Sequence, residues 1–303
     1  MTPFAERELN KVVERTLKDA GLTKPPVRLE RILSHLKLFK EFYDLSNPSF
    51  LDRAKHRVMV GGHRLAQIVQ KIKLQAVLFF DENRLGIDSS LPALKQDWPA
   101  FHEAGHRICP GHREVFAFGD TAQTLHPSYQ EKLEAEANFA GAGLMFCGRK
   151  FTEEAIDTVP SWQTVEKLAE RFGRTKTTTL RRYAEFGPEL VIAALIGTPA
   201  WRGDADHPAG ECRHFVSSRS FSRDFACVDE DELFARINAR CKRQRGGTVA
   251  QCELAISDDN GDEHEFAVEA FCNTYDLLVL LVHRRRLGAK KMVVVPRLYV
   301  PDH

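Results

Sequence analysis

The chain has 303 residues, is 43% apolar, and carries a formal charge of +1 from 43 basic and 42 acidic side chains. That length and apolar content supply more than one core and exclude a disordered chain, while the balanced charge excludes a global field for nucleic acid, so such a role needs a local patch. Seven cysteines stand singly at 109, 147, 212, 227, 241, 252 and 272, with no CxxC pair, the usage of reduced thiols in a cytoplasm.

In chain order, residues 1–20 are charged throughout and lack the apolar core of a signal peptide, and no later stretch approaches the about 18 apolar residues of a membrane span. The expectation is a cytoplasmic protein with no membrane partner. Residues 4–20 carry Leu9, Val12, Val13 and Leu17 at helical spacing, and Gly21 supplies a stop. A second helical pattern, with Leu29, Ile32, Leu33 and Leu36, follows Pro25-Pro26. Residues 63–72 predict a helix, on which Lys71-Ile72-Lys73 reads as a solvated face. Residues 75–80 and 84–87 flank Asp81-Glu82-Asn83 and predict a hairpin or strand pair. A strand at this point is either a plain structural edge or an edge that holds an extended peptide by β-augmentation.

Ser89-Ser90-Leu91-Pro92 then connects to Phe101-His102-Glu103-Ala104-Gly105-His106, an HExxH pattern. On a helix, His102 and His106 lie one turn apart on one face, so both imidazoles reach a single metal ion. Glu103 then falls at the rim, placed as base for a metal-bound water. The competing reading is a surface helix with two solvated histidines, and the following sequence decides between them. Pro110-Gly111 ends the helix, because proline has no amide hydrogen and glycine tolerates a reversal. A polar loop runs to Pro127, and residues 129–149 predict a second helix whose Ala and Gly content lets it pack closely against the first.

Val165, Leu168, Ala169 and Phe172, the turn Gly173-Arg174-Thr175, and then Leu180, Tyr183 and Ala184 form a helix-turn-helix pattern over 161–187. It is either a DNA reader or a structural helical pair. After Pro188 the character changes. Residues 211–217, 224–227, 248–257, 263–271 and 275–283 read as strands, 230–241 as a helix, and 190–196 and 277–282 as buried apolar runs. Asp258-Asp259-Asn260-Gly261-Asp262 is a hairpin turn, so this half predicts an antiparallel sheet with covering helices.

A zinc hydrolase needs three protein ligands and one open position. In one large class the third is a glutamate on a following helix, with an Asn or Asp one turn later that orients the ligands. Glu134 and Asn138 offer that arrangement, Glu134 standing 28 residues beyond His106, whereas Glu136 points elsewhere on a helix. The expected site is one catalytic Zn2+ on His102, His106 and Glu134, with Glu103 as base and Asn138 behind the ligands.

The segments FHEAGH and EAEANFAGAGLMF, with the lead-in IDSSLPALKQDWPAFHEAGH, resemble the ImmA/IrrE family of zinc metallopeptidases over residues 75–146. The chain departs from that pattern after Asn138, where one residue is missing before Phe139-Ala140, and at Phe146, which stands where a proline is usual. The resemblance implies an α+β chain in three parts: a zincin-like, gluzincin-type metallopeptidase domain at 1–155, a helix-turn-helix connector at 156–188, and a GAF-like sensor domain at 189–303. It further implies a zinc endopeptidase that cleaves a partner repressor of the xenobiotic-response helix-turn-helix type, after DNA damage or in antiphage operons. His126 and Tyr129 are by sequence the nearest candidate donors to the oxyanion, each otherwise a plain loop or helix residue.

Two further readings concern control. Cys109, three residues beyond His106, is either a small buried helix-end residue or an inhibitory ligand that fills the open position until displaced. The basic cluster Lys242, Arg243, Arg245, Arg284, Arg285, Arg286, Lys290 and Lys291 is either a solvated face or, with Phe271 and Tyr275, a groove for activating single-stranded DNA. Two other functions stay open: a DNA-binding transcriptional regulator acting through 161–187 with a vestigial peptidase fold, and a small-molecule sensor.

Overall fold

The computed structural model describes residues 1–44, 76–80, 82–117, 127–187, 190–204 and 207–288. The helix expected at 63–72 lies outside them, as do His126, Lys290 and Lys291. The chain is of mixed α and β structure and divides into two compact units, Met1–Glu154 with Lys167–Thr175, and Ala155–Glu166 with Lys176–His303. The helical pair expected as a connector is thus shared between the two.

In the first unit, helix α1 (Pro3–Asp19) starts where the Thr2 hydroxyl accepts from the Ala5 amide at 3.3 Å, and it buries Leu9, Val13, Thr16 and Leu17 along one face. Helix α2 (Leu29–His35) buries Leu29, Ile32 and Leu33. Strand β1 (Phe39–Tyr43) was not foreseen, because its residues do not alternate in burial. It runs parallel to β3 (Arg84–Asp88), which pairs antiparallel with β2 (Ala76–Phe79). The expected strand pair therefore forms inside a sheet of order β1-β3-β2, with β2 at an edge among the described residues.

Helix α3 (Ala93–Ile108) carries the HExxH pattern. The loop expected after Gly111 instead begins with a short helix, α4 (His112–Ala117). Helix α5 (Pro127–Met145) packs along α3, and α6 (Lys150–Ile156) follows. Phe146 and Phe151, both buried, close this end of the unit, with ring centroids 4.8 Å apart.

Helices α7 (Trp162–Phe172) and α8 (Lys176–Phe186) form at the helix-turn-helix pattern. Arg174, in the turn, serves the first unit: its guanidinium lies 4.9 Å from the Phe101 ring centroid, pairs with Asp97 at 3.2 Å and donates to the carbonyl of Met145 at 3.3 Å.

The second unit is built on five antiparallel strands, β4 (Ile192–Gly197), β5 (Cys212–Ser217), β6 (Gly247–Ser257), β7 (Glu263–Cys272) and β8 (Leu277–Gly288), in the order β5-β4-β8-β7-β6. Alternate residues Ala193, Leu195, Leu277, Val279 and Leu281 join a core with Phe221 of α9 (Arg219–Asp224), Phe225, and Leu233, Phe234 and Ile237 of α10 (Glu230–Asn238). The intervening Ile192, Ala194, Ile196, Leu278 and Leu280 are buried as well, and α8 packs against β4, β5 and β8. A sheet covered on both faces explains why these strands read as unbroken apolar runs.

One expectation fails here. Residues 224–227 are the end of α9 and the turn after it, not a strand. Ser218 caps that helix by accepting from the Phe221 amide, and Phe225 enters the core by following the helix, so a short apolar alternation misled. For the helix-turn-helix, α8 buries Thr179, Leu180, Arg182, Tyr183 and Ala184. That buried face packs against the sheet, while Arg181 and Glu185 on the other face stay exposed.

Candidate metal centre

The site lies where α3 and α5 cross, and two glycines let them cross closely. A Cβ on Gly105 would stand 2.3 Å from the Ala137 carbonyl oxygen, and one on Gly141 would stand 2.6 Å from the Phe101 carbonyl oxygen. Both obstacles are backbone, so these positions exclude any larger residue at this spacing. With the axes this close, side chains one turn apart on α3 meet side chains one turn apart on α5. His102 Nε2 lies 3.1 Å from His106 Nε2 and 3.2 Å from Glu134 Oε2, and His106 Nε2 lies 3.5 Å from Glu134 Oε1. His102, His106 and Glu134 thus offer two nitrogens and one carboxylate oxygen within 4.8 Å of one another, a group that could hold a metal ion. The spacing fits a small divalent cation: ligands about 2.0–2.1 Å from a tetrahedral metal stand about 3.3–3.4 Å apart. His102 is further held from behind by Asn138, whose Oδ1 lies 2.8 Å from Nδ1 and leaves Nε2 toward the cluster.

Charge in the site is arranged unevenly. Hydrogen bonds from His102 and His106 hold the Glu134 carboxyl well below the usual carboxylate range. Burial opposes protonation of His102, but the Glu134 hydrogen bond and the nearby Glu103 and Glu134 carboxylates raise it overall. His106 is lowered, chiefly by burial. Burial pushes the Glu103 carboxyl up to about 7, with His102 opposing and Glu134 adding to the rise, and a backbone hydrogen bond from Leu78 on β2 also reaches it. A carboxyl so placed can both take and return a proton near neutral pH.

The raised Glu103 carboxyl has a measurable consequence for the metal-free protein. An unfolded glutamate titrates near about 4.3, so between there and about 7 the folded state holds a proton that the unfolded state has released, and stability falls as pH rises through that window. Glu103→Gln should therefore be more stable than the wild type above pH 7, by about 1–3 kcal/mol, and equal to it below pH 4. Urea midpoints taken across that range check this.

The other sequence-chosen residues lie elsewhere. Cys109 is buried, and its Sγ donates to the Glu136 carbonyl at 3.7 Å. Burial, with Glu136 adding, pushes the thiol up to about 12, and its bond to the Glu136 carbonyl turns it toward α5. Tyr129, 39% exposed, has the Lys132 ammonium 5.9 Å from its ring centroid. In the second unit Arg285 pairs with Glu265 at 3.2 Å and Arg286 with Asp262, while Arg284 is exposed. Phe271 is stacked on Trp162 at 4.7 Å between centroids and lies under Lys176 at 4.2 Å, so it offers no open face, whereas Tyr275 is 72% exposed.

Sequence reasoning missed two groups. His112 on α4 is fully buried, with Nδ1 3.0 Å from His106 Nδ1 and Nε2 3.2 Å from Glu136 Oε2. A histidine straight after the helix-ending Pro110-Gly111 was the available signal, obscured by reading that stretch as loop. Tyr43 on β1 is buried, and Asp88 and Glu103 add to burial in holding it a neutral phenol. No spacing in the sequence connects it to the motif.

No family model matches the chain, and no curated protein matches it. Among solved structures, a Mycobacterium tuberculosis transcriptional regulator is similar over 97% of this chain and 94% of its own, at 12% identity and a TM-score of 0.46, a likeness too loose to bear on function. Among the described residues, no helix is long and apolar enough to cross a membrane.

Proposed function

We propose that the first unit is a zinc metalloendopeptidase of gluzincin type, and that its substrate is a transcriptional repressor of the xenobiotic-response helix-turn-helix class. The observation that carries this reading is the convergence of His102, His106 and Glu134, with Glu103 directly after His102 on the same helix. Zinc is favoured by the donor set, two imidazoles and one carboxylate, as in hydrolases with an open fourth position. Bound there, zinc would supply a Lewis acid and lower the pKa of a water to about 7.

The chain's own residues do the rest. Glu103 takes a proton from the attacking water and returns it to the leaving amine. Asn138 fixes the ring of His102, and His106 and Glu134 complete the binding face. Strand β2, an edge strand among the described residues and tied to Glu103 through Leu78, suits an extended peptide laid alongside it. The repressor as substrate and a stress or antiphage setting rest on the resemblance of residues 75–146 to the ImmA/IrrE family. By the same resemblance, the antiparallel second unit would serve as the sensor. Single-stranded DNA is retained as its trigger, with Arg284, Arg285 and Arg286 as the exposed basic run, the last two also holding surface ion pairs with Glu265 and Asp262.

The test is incubation of the zinc-loaded protein with the repressor encoded beside it, with and without single-stranded DNA and with and without a chelator. Cleavage at one site, lost on chelation and restored by zinc, is expected. Stimulation by DNA should be lost in Arg284→Glu. A repressor that stays intact under all conditions, or is cut equally in chelator, overturns the reading.

A further inference from the structure

We propose that His112 and Glu136 form a positioning relay behind His106, which sets its tautomer and strengthens it as a metal ligand. The inference rests on the metal-site reading above and extends it to residues that the HExxH pattern does not contain. His106 turns Nε2 toward His102 and Glu134 and Nδ1 toward His112, whose Nδ1 lies 3.0 Å away. Two ring nitrogens facing each other at that distance share one proton. For His106 Nε2 to present a lone pair to a metal, that proton must sit on His106 Nδ1. His112 then accepts at Nδ1 and carries its own proton on Nε2, where the Glu136 carboxylate, 3.2 Å away, accepts it. Each contact in this chain has one donor and one acceptor, with no nitrogen left facing the wrong partner.

The surroundings hold the relay in place. The His112 side chain is fully buried and that of Glu136 is 15% exposed. The second Glu136 oxygen faces the Lys132 ammonium at 3.8 Å, one turn earlier on α5. The Glu136 backbone carbonyl accepts from Cys109, so one residue of α5 secures both ends of the turn that carries His112. Metal-bound histidines usually pass their second N–H directly to a carboxylate or carbonyl. Here an imidazole stands between ligand and carboxylate, which puts the negative charge one ring further from the metal while still fixing the ring of His106. Glu134 and Glu136 then divide the labour: two positions apart on one helix, they face different sides, one toward the metal and one toward the relay.

The relay can be separated from the metal site by measuring zinc affinity in the full-length protein, by competition with a chromophoric chelator. His112→Leu removes the relay and keeps the volume, and it should loosen zinc by about 10- to 100-fold. His112→Gln, whose amide can accept from His106 and donate to Glu136, should recover most of that loss. Glu136→Gln keeps an acceptor but removes the charge, and should fall between. In the zinc-loaded wild type the His106 Nδ1–H should give a downfield, slowly exchanging proton resonance that His112→Leu lacks, a signature that a merely space-filling residue would not move. Affinities within about twofold of wild type in His112→Leu and Glu136→Gln would overturn the relay. If His112→Leu does not fold, an unchanged affinity in Glu136→Leu does so. A wild type that binds no zinc overturns the underlying metal site itself, an outcome distinct from either.

Discussion

Glu103→Gln should bind zinc as tightly as the wild type and cleave the repressor about 100- to 10 000-fold more slowly, the range that a positioned general base contributes. The two halves of this result separate chemistry from scaffold. Gln matches Glu in shape, so the half-buried pocket beside β2 stays filled and the Leu78 amide keeps an acceptor. What is lost is the capacity to hold a proton near neutral pH, which burial confers by pushing the carboxyl up to about 7. Single-turnover cleavage with purified repressor, alongside zinc titration, measures both. Equal cleavage by the variant would remove Glu103 from the mechanism, and lost zinc would show that its role is structural.

Gly141→Ala should cost more than an ordinary helix-surface change. Its new methyl would lie 2.6 Å from the Phe101 carbonyl oxygen and 3.0 Å from His102 Cα. Neither neighbour can rotate away, so α5 must move off α3. Overpacking of this kind costs about 1–3 kcal/mol, and more where only backbone can yield. The displaced helix takes Glu134 and Asn138 with it, so zinc affinity should fall together with the urea midpoint. Gly105→Ala should behave in the same way, its methyl meeting the Ala137 carbonyl at 2.3 Å. Gly143→Ala is the contrast: it meets only the side chain of Val13, at 3.1 Å, and should leave zinc affinity near wild type. Equal effects at all three glycines would mean that helix propensity, not the crossing, sets the cost.

The cluster His102, His106 and Glu134 was legible because the spacing that could hold a metal is also a helical spacing. His102 and His106 share a face by their spacing, and Glu134 and Asn138 share one on the next helix, so two local periodicities describe the site once the helices are known to cross. The Ala and Gly content of α5 forecast the close approach, which Gly141, with Gly105 on α3, permits. The apolar runs 190–196 and 277–282 forecast β4 and β8 for a similar reason, since a sheet covered on both faces shows no alternation.

What could not be read depended on contacts distant in sequence. β1 is a strand because β3 lies beside it, and nothing in Phe39–Tyr43 alternates to announce it. His112 meets Glu136, which was set aside because it points away from the His102, His106 and Glu134 cluster; that direction is what lets it reach His112. Of the two readings open for Cys109, the small buried helix-end residue agrees with its burial and with the bond to the Glu136 carbonyl. The arginines of β8 looked like an open cationic run, but register on β7 sets Arg285 against Glu265, and the hairpin's Asp262 meets Arg286.

The most direct test of the metal site is its stoichiometry and ligand dependence. The protein should be purified without added chelator, its bound metal quantified by mass spectrometry, and the measurement repeated for Glu134→Ala and His102→Ala after dialysis against a weak chelator. One zinc per wild-type chain, with little or none in either variant, is the predicted result. A wild type without zinc, or variants that retain it in full, would contradict the account.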